Sequence, residues 1–488
     1  MNVHRLYNLG LGSFDLWDFT IRILRTAPDD TDMRWSRSYF ERDLAVFHEF
    51  FHYVQMVTSR VGLGHILHMD SIAGLLESRL APHLGREVRT PFASYLERTP
   101  KSCSEEFKSL QLRLNEVSSV WRFHEIDHGS DKDLRTTLEW AQEHPDIPLG
   151  QLLRIDSDLG VVSIGPVVIN IGLHGLCEQM ARCAEYTWRL WAGLERRGLN
   201  NPEDIRAVKS GQIDLSHWDN EIHRFPWKDS AFVYDFPLLL ALQRGCFPAN
   251  VVTTFALLCG WISLMNTTWL PGSDVPQNVA GGYLEMLDNG LELAHDLYFE
   301  ERGKLLKGDN KAFNAIQMAD RICDHFDQPP FSKSIEEVTG ILERLMDESR
   351  EEGAFQSQIY WCARDGHTIL KAFTRTPIRL LAVFPRYETA GESVSLPVPP
   401  VFYENQAWGA TGEGGRHRTF QHLLISVLKE MLFASHDFSA QGRSIGDLAS
   451  EECPYGDCCI FRARSSSIKQ SLETALGHLD GLRGHSIG

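Results

Sequence analysis

The segment YFERDLAVFHEFFHYVQMVTSRV, residues 39–61, is the most strongly patterned stretch of the sequence. Its apolar residues recur at steps of three and four, the spacing of one face of an α-helix: Leu44, Phe47, Phe51, Val54 and Val57. Gly62 and Gly64 follow it and provide a stop signal. The pattern predicts one long helix over residues 39–61 whose apolar face packs into a core.

This predicted helix carries an HExxH motif formed by His48, Glu49 and His52. The two histidines lie one turn apart on the same helical face, so both imidazoles can reach a single zinc ion. The glutamate between them is placed to hold a water on the metal and to take its proton. Gln55 continues the histidine face and is expected to support it. We predict one Zn²⁺ per chain, with His48 and His52 as ligands and Glu49 as the catalytic carboxylate.

A second formal match, HEIDH, occupies residues 124–128. It places the charged Asp127 between its two histidines, and it runs directly into Gly129 and Ser130. A charge and a helix stop both favour a surface position over a buried metal-binding helix. We interpret this match as the exposed end of a helix without a metal.

A later segment supplies the third protein ligand that a catalytic zinc site usually has. Residues 173–196 are predicted to form a helix on which His174, Glu178 and Glu185 share one face. Small residues beside the acidic ones allow this helix to pack closely against the HExxH helix. We predict Glu178 as the third ligand and Glu185 as its substitute. The candidates for an oxyanion-stabilising group are His174, Arg182, Tyr186 and a residue of the segment 283–295.

Together, these motifs resemble the gluzincin zinc metallopeptidases, which include thermolysin-like enzymes and zinc aminopeptidases. In that family HExxH lies on one helix and a glutamate ligand lies on a later helix, often as Glu-x-x-Ala; EQMA at residues 178–181 is similar. The interval between the two motifs is longer than in the family, which implies an inserted helical segment. The resemblance implies a zincin-like fold, peptidase activity on a peptide or protein substrate, and the ligand set His48, His52 and Glu178. Residues 13–24 alternate apolar and polar positions, which predicts a strand where such folds place an edge strand.

The rest of the chain predicts a mainly α protein with a small β component. Residues 1–350 are rich in helical patterns and are expected to form the zincin-like catalytic region. Short strand patterns, prolines and a Gly-rich loop follow, which predicts a smaller mixed α/β C-terminal domain over residues 351–488. The role of this domain is open, and it is a candidate surface for a protein partner.

The composition is that of a globular protein with an acidic surface. A net charge of −17 repels phosphate backbones and anionic lipids, so we expect neither nucleic acid nor a membrane as a partner. The uncharged stretches at residues 159–176 and 245–273 contain proline and asparagine, so we interpret them as buried core segments. Mostly single, scattered cysteines and a first segment without a signal-peptide pattern predict a cytoplasmic protein.

Other functions remain open. The ExxH half of the motif also fits a carboxylate-bridged di-iron protein, and Glu292 with His295 forms a second ExxH. In that interpretation Glu178 or Glu185 bridges the irons, and His48 has no role. A further alternative is a non-catalytic interaction protein with a structural metal site. A candidate second metal site is formed by three clustered cysteines and a more distant histidine: Cys453, Cys458, Cys459 and His436.

Overall fold

The computed structural model describes residues 12–14, 16, 19, 21–23, 44–80, 125–144, 153–195, 236–238, 240, 249–267, 278–309, 314–351, 358–380, 386–389, 392–397, 399, 401–403 and 407–408. Helices dominate this part of the chain and the strands are few and short, so the expected mainly α class is confirmed. A zincin-like arrangement of the elements stays a prediction. The predicted helix start at residues 39–43 and the cysteine cluster with His436 lie outside the described residues.

The helices of the described residues are α1 Leu44–Thr58, α2 Arg60–Leu80, α3 Asp131–Glu143, α4 Gly172–Glu195, α5 Ala249–Asn266, α6 Val279–Asn289, α7 Leu291–Leu306, α8 Ala315–His325, α9 Phe331–Glu351 and α10 Gln358–Arg375. A short 3₁₀ helix, Pro377–Leu380, follows α10. The first helix, α1, carries the HExxH motif, and α4 covers the segment predicted to supply the third ligand.

The strands are β1 Gly12–Phe14, β2 Ile21–Ile23, β3 Glu125–His128, β4 Leu153–Asp156, β5 Val161–Ile164, β6 Val167–Asn170, β7 Arg386–Thr389, β8 Glu392–Ser395, β9 Val401–Tyr403 and β10 Ala407–Trp408. They form three small sheets with the orders β1-β2-β9-β10, β3-β6-β5-β4 and β7-β8. The second of these sheets is antiparallel throughout, and its strand β6 leads directly into α4.

The segment predicted as one strand over residues 13–24 forms a hairpin instead. Strand β1 runs antiparallel to β2, with Gly12 opposite Ile23. Phe19 lies between the strands with a positive φ of 54° and a fully buried side chain. The backbone therefore reverses within a segment whose alternation predicted a continuous strand. Both short strands pack against α1.

The helix predicted over residues 39–61 ends earlier than its apolar pattern. Helix α1 ends at Thr58, Ser59 forms a bend, and α2 starts one residue later. The Ser59 Oγ accepts a hydrogen bond from Gly62 N at 3.0 Å, which caps the first turn of α2. Gly62 thus lies inside a helix rather than stopping one. A Cβ on Gly62 would come 1.9 Å from Met56 O, so only glycine allows the start of α2 to lie this close to the end of α1.

Helix α4 lies at the centre of the core and packs against both α1 and α5. Helix α5 is buried along almost its whole length, as predicted for the uncharged segment 245–273. Gly260 of α5 approaches Met180 of α4 so closely that a Cβ would lie 2.3 Å from Sδ. No helix in the described part of the chain is long and apolar enough to span a membrane.

Residues beyond 350 contribute to the same core. Helix α10 meets α1 at Gly366, where a Cβ would lie 1.9 Å from Val57 O. One residue earlier, Asp365 accepts a hydrogen bond from the buried Tyr53 hydroxyl of α1. Strand β9 pairs in parallel with β2. The division into two domains at residue 350 stays a prediction, but α10 packs against the helix that carries HExxH, and β9 pairs with β2, which packs against the same helix.

Candidate metal site

Two side chains of α1 and one of α4 converge where these helices pack together. Ligand atoms of His48, His52 and Glu178 all lie within 4.8 Å of one another. Glu178 Oε2 is 2.8 Å from His48 Nε2, and Glu178 Oε1 is 3.4 Å from His52 Nε2. This group can hold a metal ion, and it is the set that the sequence predicts.

The surroundings of His52 leave one ring nitrogen as a free electron-pair donor. Gln55 Nε2 donates to Cys177 O at 3.1 Å, which leaves the Gln55 Oε1 as an acceptor. That oxygen lies 2.8 Å from His52 Nδ1, so Nδ1 carries the proton whenever the ring is neutral, as it must be to bind a metal. The lone pair is then on Nε2, which is buried without a hydrogen-bond partner. A buried imidazole nitrogen oriented in this way suits a metal ligand.

A chain of polar contacts holds the His48 ring at Nδ1, the nitrogen that does not face Glu178. Its Nδ1 lies 2.8 Å from Glu185 Oε1, and Glu185 Oε2 accepts a hydrogen bond from Arg182 at 2.6 Å. The Arg182 guanidinium lies over the Tyr186 ring, 4.9 Å from its centroid. Glu185 therefore contacts the outer nitrogen of His48 and lies outside the metal group, in contrast to its predicted role as substitute ligand. This contact directs the Nε2 of His48 toward Glu178.

Opposite charges dominate the electrostatics of His48 and Glu178. Burial alone lowers the pKa of His48, but the carboxylates of Glu178 and Glu185 outweigh it and raise that pKa well above its ordinary value. Burial alone raises the pKa of Glu178, but His52 and His48 outweigh it and hold that pKa well below its ordinary value. Buried carboxylates beside imidazoles create an environment that favours a bound cation.

Glu49 lies on α1 next to His48 and is 8% exposed. Burial raises the pKa of its carboxyl above the ordinary value, and the nearby His48 and His52 reduce that rise. A carboxylate with a raised pKa is a better proton acceptor near neutral pH. Glu49 is thus buried close to both histidines, and its role as the catalytic carboxylate stays a prediction.

Among the predicted oxyanion-stabilising groups, His174 contacts the metal group. Its Nε2 lies 3.1 Å from Glu178 Oε1. Arg182 is engaged with Glu185, and Tyr186 lies under that guanidinium. In the segment 283–295, Tyr283 is fully buried, and burial together with the thiols of Cys183 and Cys259 raises the pKa of its hydroxyl.

The second HExxH match is not the end of a helix. Glu125–His128 forms strand β3, which pairs with β6, and His128 is exposed. His124, the first residue of this match, lies outside the described residues. His128 does not belong to the metal group of the described residues. The prediction of a helix end is wrong, because pairing with β6 fixes an extended backbone there.

The second ExxH pattern, Glu292 and His295, lies on the surface of α7. Glu292 is exposed, and the His295 side chain is 45% exposed. The His295 ring contacts Phe299, with ring centroids 4.4 Å apart. Neither residue belongs to the group that can hold a metal. The described residues therefore do not provide the second ligand pair on which the di-iron alternative depends.

Two contacts of the site were not predicted as such: Glu185 with His48, and His174 with Glu178. The second could have been found, since residues four apart on a helix are neighbours. The first joins residues 137 positions apart and depends on how α1 and α4 pack.

Comparisons with known proteins add no relative to this description. No protein-family model and no curated protein matches the sequence, and no solved structure matches the fold. The gluzincin resemblance accordingly rests on HExxH and Glu178, and it belongs to the proposal that follows.

Proposed function

We propose that the protein is a zinc-dependent hydrolase that cleaves an amide bond in a peptide or protein substrate. The observation that carries this proposal is the convergence of His48, His52 and Glu178, with the buried Glu49 on the same helix as both histidines. Three protein ligands leave a fourth position for water or substrate, which is typical of catalytic zinc sites; structural sites use four protein ligands.

The donor set favours some metals over others, and zinc is the metal that we propose. Two imidazoles and one carboxylate suit Zn²⁺, whereas Mg²⁺ and Ca²⁺ prefer oxygen ligands. The buried Nε2 of His52, which has no hydrogen-bond partner, supports a bound metal ion at this place, because an ion supplies the partner that this nitrogen lacks. A bound zinc ion supplies an activated water and polarises the substrate carbonyl.

The remaining steps belong to residues of the chain. The Glu49 carboxylate accepts a proton from the attacking water and passes it to the leaving amine. Gln55 and Glu185 hold the rings of His52 and His48 through hydrogen bonds to their outer nitrogens, both at 2.8 Å. A site held in this way loses little energy to reorganisation during the reaction.

Solvent reaches the site past three partly exposed side chains. The side chains of His48, His174 and Arg182 are 13%, 12% and 18% exposed. Substrate is expected to approach along this side, where α4 presents His174 and Arg182 one on each side of Glu178. The choice of a peptide bond as the target rests on the gluzincin resemblance.

Substitution of Glu49 tests the proposal directly. We expect Glu49→Gln to lower turnover by about 10²–10⁴-fold, because the amide cannot accept the proton, and to leave the metal bound. Turnover is measured with a quenched-fluorescence peptide library, for protein as purified, after chelation and after zinc is restored. Glu336→Gln, an exposed glutamate on α9, is the matched control. Full turnover in Glu49→Gln excludes the role of Glu49, and turnover that resists chelation excludes zinc.

A further inference from the structure

His174 lies in the first turn of α4, one helical turn before Glu178. Helix α4 begins at Gly172, whose φ of 58° lies in the left-handed region that favours glycine. The preceding residue is tied to the β4–β5 turn, since Ile171 N donates to Gly160 O at 3.1 Å. The backbone that leads into His174 is therefore held in place, by the bond of Ile171 before the helix and by the first turn of α4 itself.

The two oxygens of Glu178 have different neighbours. Oε2 lies 2.8 Å from His48 Nε2. Oε1 lies 3.1 Å from His174 Nε2 and 3.4 Å from His52 Nε2. His174 is outside the group of ligand atoms that lie within 4.8 Å of one another, so it contacts a ligand without belonging to the ligand set.

A carboxylate can bind a metal through one oxygen or through both, and the difference decides how many positions remain free. A hydrogen bond donated to one oxygen weakens that oxygen as a metal donor and fixes the rotation of the carboxylate. His174 Nε2 is placed to donate such a bond to Oε1, which leaves Oε2 as the oxygen available to the ion.

We infer that His174 is a positioning residue that makes Glu178 bind the metal through a single oxygen. This inference rests on the metal site of the proposed function. Without His174, Glu178 rotates to bind through both oxygens and occupies the position that water and substrate need. The residue thus keeps the site open without touching the reacting atoms.

Cobalt substitution tests the inference without an activity assay. Co²⁺ bound by four ligands absorbs visible light more strongly than Co²⁺ bound by five or six. We expect His174→Leu, which cannot donate the bond, to weaken this absorption and to lower Co²⁺ affinity by about 10–100-fold. His174→Gln, whose amide can donate to Glu178, is expected to restore both. His144→Leu, at the end of α3 and stacked on Trp140, is the control for loss of a histidine.

A second measurement needs no variant. In a crystal structure of the zinc-loaded wild type, one Glu178 oxygen is expected at about 2.0–2.2 Å from the ion, with the other bonded to His174. Two Glu178 oxygens at bonding distance, or His174 itself on the metal, overturn the inference.

A His174→Leu variant with wild-type absorption and affinity overturns it as well. If the wild type binds neither Zn²⁺ nor Co²⁺, the proposed metal site fails; if it binds them and His174→Leu changes nothing, only the inference fails.

Discussion

The two HExxH matches of this chain share a sequence pattern, but the first lies on a helix and the described part of the second lies on a strand. In the first, His48 and His52 lie on α1 and meet Glu178 in a buried group. In the second, Glu125 and His128 lie on strand β3, with His128 exposed. Positions four apart are about 6 Å apart along a helix and about 13 Å apart along a strand. A helix such as α1 can therefore bring two imidazoles four positions apart to one ion, whereas an extended strand cannot.

The residues around each motif determine this difference. Phenylalanines at positions 47, 50 and 51 are fully or almost fully buried and bind α1 to the core. The second match has Asp127 and Gly129 in the corresponding surroundings, and Gly129 has a φ of 94° that excludes a continuing helix. An HExxH motif thus indicates a metal site only where the apolar residues around it also predict a buried helix.

The largest expected effect is loss of the metal from the first match alone. We expect His48→Ala or His52→Ala to reduce the zinc content from one ion per chain to almost none, because two ligands hold a catalytic zinc poorly. His128→Ala is expected to keep the full zinc content. Elemental mass spectrometry of protein purified without added metal measures both. Equal zinc loss in all three variants would mean that the two matches do not differ.

A smaller loss of zinc affinity is expected when the hydrogen bond that holds the His52 ring is removed and all three ligands are kept. Gln55→Leu removes the acceptor that holds the proton on His52 Nδ1, so the ring loses its fixed orientation. We expect zinc affinity to fall by about 10–100-fold, measured by competition with a chromophoric chelator. Gln317→Leu, exposed on α8, is the control. Unchanged affinity in Gln55→Leu would show that packing alone orients His52.

The close packing of α1 can be tested separately from the proposed metal site. Gly366→Ala places a methyl group 1.9 Å from Val57 O, so α10 must move away from α1. We expect a loss of about 1–3 kcal/mol in the free energy of unfolding. Gly340→Ala on α9, where nothing lies within 4 Å, is expected to stabilise by about 0.5–1 kcal/mol. Urea denaturation measures both, and equal effects would argue against close packing of α10 on α1.

The sequence predicts those features that depend on neighbours within one or two helical turns. His48, His52 and the acidic face of α4 are of this kind, because a helix fixes which residues share a face. The bend at Ser59 was missed because it depends on the close approach of Gly62 to Met56, for which the apolar pattern has no signal. The role of Glu185 was missed because it is set by the packing of α4 against α1.

The smallest expected effect concerns a buried carboxyl without the imidazoles that surround Glu178. Burial raises the pKa of Asp70, on α2, to about 6. The folded state therefore binds a proton more readily than the unfolded state, and ionisation above pH 6 costs stability. Asp70→Asn removes this cost and is expected to stabilise by about 1–2 kcal/mol at pH 8.

The stabilisation by Asp70→Asn is expected to depend on pH. Below about pH 6 the folded wild type is protonated at Asp70 while the unfolded chain is still ionised, so the advantage of Asp70→Asn shrinks as the pH falls and disappears below about pH 4, where both states are protonated. Melting temperatures at pH 4 and pH 8 measure it, with Asp296→Asn, whose wild-type side chain is 84% exposed, as the control. An advantage of equal size at both pH values would mean that the asparagine acts through new contacts. An advantage confined to pH 8 would establish that burial raises the pKa of Asp70, in contrast to Glu178, whose pKa the neighbouring histidines hold down.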